Sequence, residues 1–174
     1  MKNKNLVYLI ALLFVASALP NLIGYFSTNP KQVYSGVVFN PIDGYTYLAK
    51  MQIGKNGDWL FTLPFTAQAG EGRLLYPFYI AAGQLFNQIR IPLSVGFNVL
   101  RLIGYVLLVL FLVNLAEKVF QDNVKIRTTA VLLMAAGGGL GWILLPFGKF
   151  GADFWVAEAF PFLSGLANPH FPLA

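Results

Sequence analysis

The chain has 174 residues, of which 57% are hydrophobic and 11% charged, with a net charge of +5 and no cysteine. A soluble domain is typically about a quarter charged, so this composition argues against one. Disulfides and thiolate metal sites are excluded because there is no cysteine. The basic residues flank apolar runs and form no basic helix or aromatic stacking module, so nucleic acid is not an expected partner.

Three apolar runs are long enough to cross a membrane, at about residues 6–25, 93–116 and 128–148. A bilayer core about 30 Å thick needs about 20 helical residues, and a helix satisfies its own backbone hydrogen bonds in lipid. The sequence therefore predicts an all-α membrane protein with three transmembrane helices, in a single membrane domain over 1–174. The lipid bilayer is its first expected partner.

The first apolar run has two interpretations. Lys2 and Lys4, followed by apolar residues and "ASALP", are typical of a signal peptide with a small-residue cleavage site. The run continues past Pro20 to Tyr25, which favours an uncleaved signal anchor. Both interpretations place the residues that follow on the exported side.

Lys and Arg near helix ends mark the cytoplasmic side of a membrane protein. Lys2 and Lys4 precede the first run, and Lys118, Lys125 and Arg127 lie between the second and third. We therefore expect a multi-pass protein of the plasma (inner) membrane with a cytoplasmic N-terminus. The outer loops then cover 26–92 and 149–174.

The first outer loop contains a predicted helix that begins near Asp43 and ends at Gly54. Pro41 disfavours helix in the residues that precede Asp43. Lys50 and Lys55 are expected to face outward. The apolar residues share one helical face, which predicts an amphipathic helix on the membrane surface. These residues are Tyr47, Leu48 and Met51.

A second amphipathic helix is predicted from Pro77 to just before Pro92. Between the two helices, "WLFTLPF" is apolar and interrupted by proline, which suits the membrane interface. Arg101 then lies about two turns into the second membrane helix. Its side chain either extends to the outer surface or faces the interior as a functional cation.

The third run contains "AAGGGLGW", in which Gly137 and Gly141 form a small-xxx-small pair. Such a pair allows helices to approach closely in lipid. No strand precedes the glycines and no Lys-Ser/Thr pair follows them, so phosphate binding is not indicated.

Three carboxylates of the outer loops are candidate catalytic residues, because catalytic carboxylates often work in pairs. They are Asp43 in the first loop and Asp153 and Glu158 in the second. The alternative for Asp43 is a helix cap. The two roles are compatible, because a helix N-terminus favours an ionised carboxylate and also an anionic ligand such as a lipid phosphate. The alternative for Asp153 and Glu158 is a solvated loop.

His170 follows Asn168-Pro169 and is either a turn residue or a substrate-binding residue. With one histidine and no cysteine, a zinc site is not indicated. A divalent cation held by the carboxylates is the one cofactor that the pattern leaves open. No G-x-S-x-G motif supports a serine hydrolase.

One long segment resembles a known family. It reads "LLYPFYIAAGQLFNQIRIPLSVGFNVLRLIGYVLLVLFLV" and follows a membrane helix and a loop whose Asp43 precedes a surface helix. This arrangement is similar to the amino-terminal part of GT-C type membrane glycosyltransferases, especially protein-mannosyltransferase-like enzymes that use dolichyl- or undecaprenyl-phosphate sugars. Their Pro-aromatic segment, the glycine after it and the arginine of the second helix match Pro77, Tyr79, Gly83 and Arg101.

The resemblance implies a transferase that moves a sugar from a polyprenyl-phosphate carrier to an acceptor on the outer face. Asp43 matches the catalytic base of the first loop, and Asp153 or Glu158 matches the acidic position of the second. Gly44 stands where many mannosyltransferase-like members have the second residue of an Asp-Glu pair.

The resemblance covers the first quarter to third of such an enzyme, so the chain is expected to be a fragment that lacks activity alone. Within the site, Arg101 and His170 are the candidate substrate-binding residues. The donor phosphate is expected to lie near Arg101 or near the ends of the amphipathic helices. The alternative function is a non-catalytic multi-pass membrane protein, a scaffold or a transporter fragment. Helices one and three lack ionisable residues, which favours the enzyme.

Overall fold

The structure, a computed structural model, describes residues 3–68, 70–121 and 123–173. Lys2, used above to assign sidedness, lies outside them. The described residues form helices and no β-strand, as the all-α prediction expected. The α-helices are α1 (Asn3–Phe26), α2 (Pro41–Lys55), α3 (Pro77–Gln88), α4 (Leu93–Val119), α5 (Val124–Ala136) and α6 (Pro161–Ser164).

Two of these helices are long and apolar enough to cross a membrane, over Val7–Phe26 and Leu93–Val119. They coincide with the first two predicted runs, and α4 continues three residues past the predicted end at 116. Both helices expose many large apolar side chains, as a lipid environment allows. The chain is thus compatible with a membrane protein.

The third predicted run, 128–148, does not form one continuous helix. α5 ends at Ala136, and Gly137 is extended, with φ −66° and ψ 130°. A 3-10 helix follows over Gly141–Phe147 with Pro146 inside it. The break has a local cause: each glycine costs a helix about 1 kcal/mol relative to alanine, and proline lacks the backbone donor that a helix needs.

The chain divides into two compact units. The first unit comprises residues 1–34 and 100–174, and the second unit comprises residues 35–99. α4 begins in the second unit and continues in the first. That both belong to one membrane domain stays a prediction.

The core of the first unit lies among α1, α4 and α5. The phenol of Tyr105 donates a hydrogen bond to the carbonyl of Ala135 over 2.9 Å and so joins α4 to α5. The remaining buried residues of this core are apolar. They are Leu9, Leu13, Val109, Leu112, Val113, Ala116, Val131 and Ala135.

In the second unit, α2 and α3 pack backbone to backbone through two glycines. A Cβ on Gly54 would overlap the carbonyl oxygen of Ile80, and a Cβ on Gly83 would overlap that of Met51. The side chains of Met51 and Ile80 are fully buried. Only residues without a side chain permit this approach, so the two glycines fix how α3 presents its residues to α2.

Candidate functional site

Asp43 lies in the first turn of α2 and is half-buried. The N-cap residue of this helix is Asn40, whose backbone is left-handed (φ 46°) and whose side chain makes no capping hydrogen bond. The hydroxyl of Thr46 donates to the main-chain carbonyl of Asp43 over 2.7 Å. Asp43 is therefore a first-turn residue and not the cap itself, and its carboxylate lies at the positive end of the helix.

Lys50, predicted to face outward, is instead only 8% exposed, so that prediction is wrong. Its Nζ lies 3.9 Å from the centre of the Tyr47 ring and 3.8 Å from that of Tyr76. An ammonium is attracted to the negative face of an aromatic ring. Tyr47 is three residues earlier on α2, whereas Tyr76 comes from the far side of a long loop, which helical periodicity does not reveal.

The charge of Asp43 affects the pKa of two neighbours on α2, Lys50 and Tyr47. Burial lowers the pKa of the Lys50 ammonium from the ordinary 10.5, and the Asp43 carboxylate partly offsets this shift. The pKa of Tyr47 is raised, first by burial and then by the charges of Asp43 and Tyr76. We refer to Asp43, Tyr47, Lys50 and Tyr76 as the α2 cluster. The three residues on α2 are spaced four and three apart and thus share one helical face.

Aromatic packing holds the α2 cluster against α3. The ring of Tyr47 stacks on that of Tyr79, with centroids 4.5 Å apart and 24° between planes. Tyr79 is 3% exposed and also packs edge to face with Phe78 at 5.1 Å. Tyr76, with a left-handed backbone (φ 54°), packs edge to face with Phe61 at 5.0 Å. These contacts fix both rings that flank Lys50.

Arg101 faces the interior of the first unit and is 1% exposed. Its Nη1 donates to the hydroxyl of Ser17 over 2.8 Å and to the carbonyl of Gly165. Its Nη2 donates to the main-chain carbonyl of Ser17 over 3.3 Å. The guanidinium thus joins α1, α4 and the turn after α6, so of the two predicted orientations the structure has the interior one.

His170 is half-buried in a turn, as one of its two interpretations expected. Its ring lies 4.3 Å from that of Phe171, and its carbonyl accepts a hydrogen bond from the amide of Leu173 over 3.1 Å. Nearby, a Cβ on Gly104 would contact Pro172. The segment that carries His170 therefore packs closely on α4.

Asp153 lies among glycines. One carboxylate oxygen accepts a hydrogen bond from the Gly141 amide over 2.8 Å, and a Cβ on Gly139, Gly141 or Gly151 would clash with the Asp153 side chain. The same residues line an open cleft of about 470 Å³ with Leu140, Ile143, Leu144, Ala152 and Phe160. The sequence predicted helix packing for this glycine motif, and no local pattern linked it to a carboxylate twelve residues away.

The predicted site residues fall in two units. Asp43 belongs to the second unit, whereas Arg101, Asp153, Glu158 and His170 belong to the first. Glu158 is exposed in a short 3-10 turn, Ala157–Ala159, as the solvated-loop alternative expected. Among the described residues, no group of three or more histidines and carboxylates could hold a metal ion. A divalent cation stays a prediction.

Comparison with protein-family models, curated proteins and solved structures finds no match to this chain. The resemblance to GT-C glycosyltransferases therefore rests on the residues quoted above and stays a prediction, as do the site residues that it implies.

Proposed function

We propose that the chain is part of a membrane transferase that moves a sugar from a polyprenyl-phosphate carrier to an acceptor on the outer face of the plasma membrane. The observation that carries the proposal is the α2 cluster. It places a half-buried carboxylate in the first turn of a helix, within reach of the charge of a buried ammonium. It also lies in the segment between two helices of membrane-spanning length.

In the proposed reaction, Asp43 removes the proton from the acceptor hydroxyl as its oxygen attacks the anomeric carbon of the donor sugar. The bond between that carbon and the phosphate oxygen breaks, and its electron pair leaves with the polyprenyl phosphate. A base contributes about 10²–10⁴-fold to such a step when it lies within hydrogen-bond reach of the proton. The α2 cluster supports this role because ring packing fixes Lys50, a cation whose pKa the Asp43 carboxylate affects.

The proposal keeps the topology that the sequence predicts, with a cytoplasmic N-terminus and the second unit outside. The third crossing, over 128–148, would then include the 3-10 helix Gly141–Phe147 in place of a continuous α-helix. Non-helical backbone within the membrane is tolerated where other protein or a water-filled cavity surrounds it.

The decisive substitution is Asp43→Asn in the protein expressed from its full reading frame. Asparagine preserves the size of the side chain but cannot act as a base, so we expect normal membrane insertion and a loss of transfer of about 10²-fold or more. Transfer is measured with radiolabelled polyprenyl-phosphate sugars in isolated membranes. Asp58→Asn is the matched control, because Asp58 is an exposed carboxylate of the same unit.

Full sugar transfer by the Asp43→Asn variant would show that Asp43 is not the catalytic base. A wild-type protein that transfers no sugar from any polyprenyl-phosphate donor would instead favour the alternative, a non-catalytic membrane protein. The hydrogen bonds of Arg101 to Ser17 and Gly165 fit this alternative, because they connect helices and need no substrate.

A further inference from the structure

Six large apolar side chains are exposed between α2 and α3. We refer to residues 59–75, of which Ala69 is not described, as the interhelical loop. Each of the six is about half exposed or more, and large exposed apolar surfaces mark contacts with a membrane or a partner protein. They are Trp59 (53%), Leu60 (49%), Leu63 (53%), Phe65 (71%), Leu74 (67%) and Leu75 (47%).

The interhelical loop has a defined form. Phe61 and Arg73 exchange two backbone hydrogen bonds, of 2.8 and 3.0 Å, so the two arms of the loop run side by side. A Cβ on Gly72 would lie 2.8 Å from the Cβ of Leu60, which shows how closely the arms approach. Gln84 of α3 donates to the carbonyl of Asp58 over 3.1 Å and anchors the start of the loop. The apolar side chains are thus presented by a folded element.

The position of the loop in the chain indicates what covers it. Residues 27–92 connect the two helices of membrane-spanning length, Val7–Phe26 and Leu93–Val119. A bilayer crossed by both helices would hold both ends of this segment at its surface. The composition also suits the interface, where tryptophan is enriched and a long basic side chain such as that of Arg73 reaches from apolar surroundings to the headgroups.

We infer that the interhelical loop lies in the interfacial region of the bilayer and anchors the second unit to the lipid surface through its exposed apolar side chains. The lipid leaflet is the occupant of this surface, rather than a partner protein or a second copy of the chain. The inference does not depend on the proposed transferase activity.

The test uses Trp59 as the only tryptophan of the full chain, in a Trp142→Phe, Trp155→Phe background reconstituted in phosphatidylcholine vesicles. Phosphatidylcholine with bromine near the headgroup end of the acyl chain quenches only tryptophans within the bilayer, and aqueous iodide quenches only those in water. We expect blue-shifted emission, loss of most of this emission in brominated vesicles, and little effect of iodide.

The matched control is Lys55→Trp in a background without the natural tryptophans, because Lys55 is exposed at the polar end of α2. We expect iodide to quench this control more than it quenches Trp59.

Two results would overturn the inference. Quenching of Trp59 by iodide alone would place the loop in water, and protection from both quenchers would mean that protein covers it. A second measurement introduces a charge into the loop through Leu63→Asp, with Leu63→Ser as a milder variant should the first fail to insert. Each change is expected to reduce the brominated-lipid quenching of Trp59, and unchanged quenching in an inserted variant would contradict an anchoring role for Leu63.

Discussion

Among the side chains that the structure describes, each unit buries one cation, and the two units do so in different ways. In the first unit, Arg101 is 1% exposed and donates hydrogen bonds to the Ser17 hydroxyl and to the carbonyl of Gly165. In the second unit, Lys50 is 8% exposed and lies between the rings of Tyr47 and Tyr76. The first cation is held by directional bonds to fixed oxygen atoms, the second by the faces of two aromatic rings.

This difference separates a structural cation from a candidate functional one. The planar guanidinium of arginine presents several donors in a rigid fork and so can join several chain segments at once. The lysine ammonium is a compact charge on a flexible stem, and it changes its pKa readily when buried. We conclude that Arg101 mainly holds the first unit together, whereas Lys50 is a buried cation whose pKa responds to burial and to the Asp43 carboxylate.

The largest expected effect is that of Arg101→Ala. The change removes the hydrogen bonds to Ser17 and Gly165 and leaves a cavity at the junction of α1, α4 and the turn after α6. We expect the free energy of unfolding to fall by about 3 kcal/mol. It can be measured by denaturant titration in detergent micelles followed by circular dichroism. Hydrogen exchange should accelerate in residues 161–173 and not in α3, because the hydrogen bonds of Arg101 lie within the first unit.

Two variants check that the loss in free energy of unfolding comes from the hydrogen bonds of Arg101. Arg73→Ala removes an exposed arginine, and such changes usually stay within about 0.5 kcal/mol. Arg101→Lys keeps the charge but not the fork, so it should recover only part of the loss. If Arg101→Lys were as stable as the wild type, charge alone would suffice and the comparison with Lys50 would fail.

A smaller effect is expected from Lys50→Ala. The change removes a cation–π contact and the packing of the aliphatic stem, but it also removes the cost of burying a charge. We therefore expect the free energy of unfolding at neutral pH to fall by only about 1 kcal/mol. Lys55→Ala, on the same helix but exposed, is the control and should change it by less than about 0.5 kcal/mol.

The pH dependence of stability sharpens this prediction. Because the folded state lowers the pKa of Lys50, the unfolded chain binds more protons between that lowered pKa and the ordinary 10.5. The free energy of unfolding contributed by Lys50 therefore rises with pH across this window. Lys50→Ala should lose that rise. A wild-type contribution that instead falls across the same window would mean that the rings and Asp43 outweigh burial.

Helix positions were predictable where local pattern decides them. An uncharged run over 6–25 was sufficient to locate α1. The helix predicted to begin near Asp43 begins two residues earlier, at Pro41, because proline is tolerated in the first turn of a helix. The break after Ala136 was missed because hydropathy alone counted glycine-rich residues 137–141 as part of an apolar run. Their low helix propensity and Pro146 were the available signals.

The candidate site was less predictable, because its contacts join distant segments. Helical periodicity assigned Lys50 to the outward face, and only folding brings Tyr76 to its other side. Tyr47, three residues before Lys50 on the same helix, was the one local signal of a ring partner. The contacts of Asp153 with Gly139 and Gly141 likewise join residues at least twelve positions apart, across the 3-10 helix Gly141–Phe147, so spacing in the sequence did not reveal them.

The central claim is that Asp43 and Lys50 form one charged site, and the most direct test is the titration of Lys50. The pH dependence of its acylation, followed by mass spectrometry, reports the fraction of neutral amine in the folded chain, and the chain unfolded in denaturant is the reference. We predict that Lys50 titrates below the ordinary 10.5 in the folded chain, and lower still in Asp43→Asn, because the carboxylate that raises its pKa is then absent. Titration of Lys50 at the same pH in the folded and unfolded chains, with no change in Asp43→Asn, would contradict the claim.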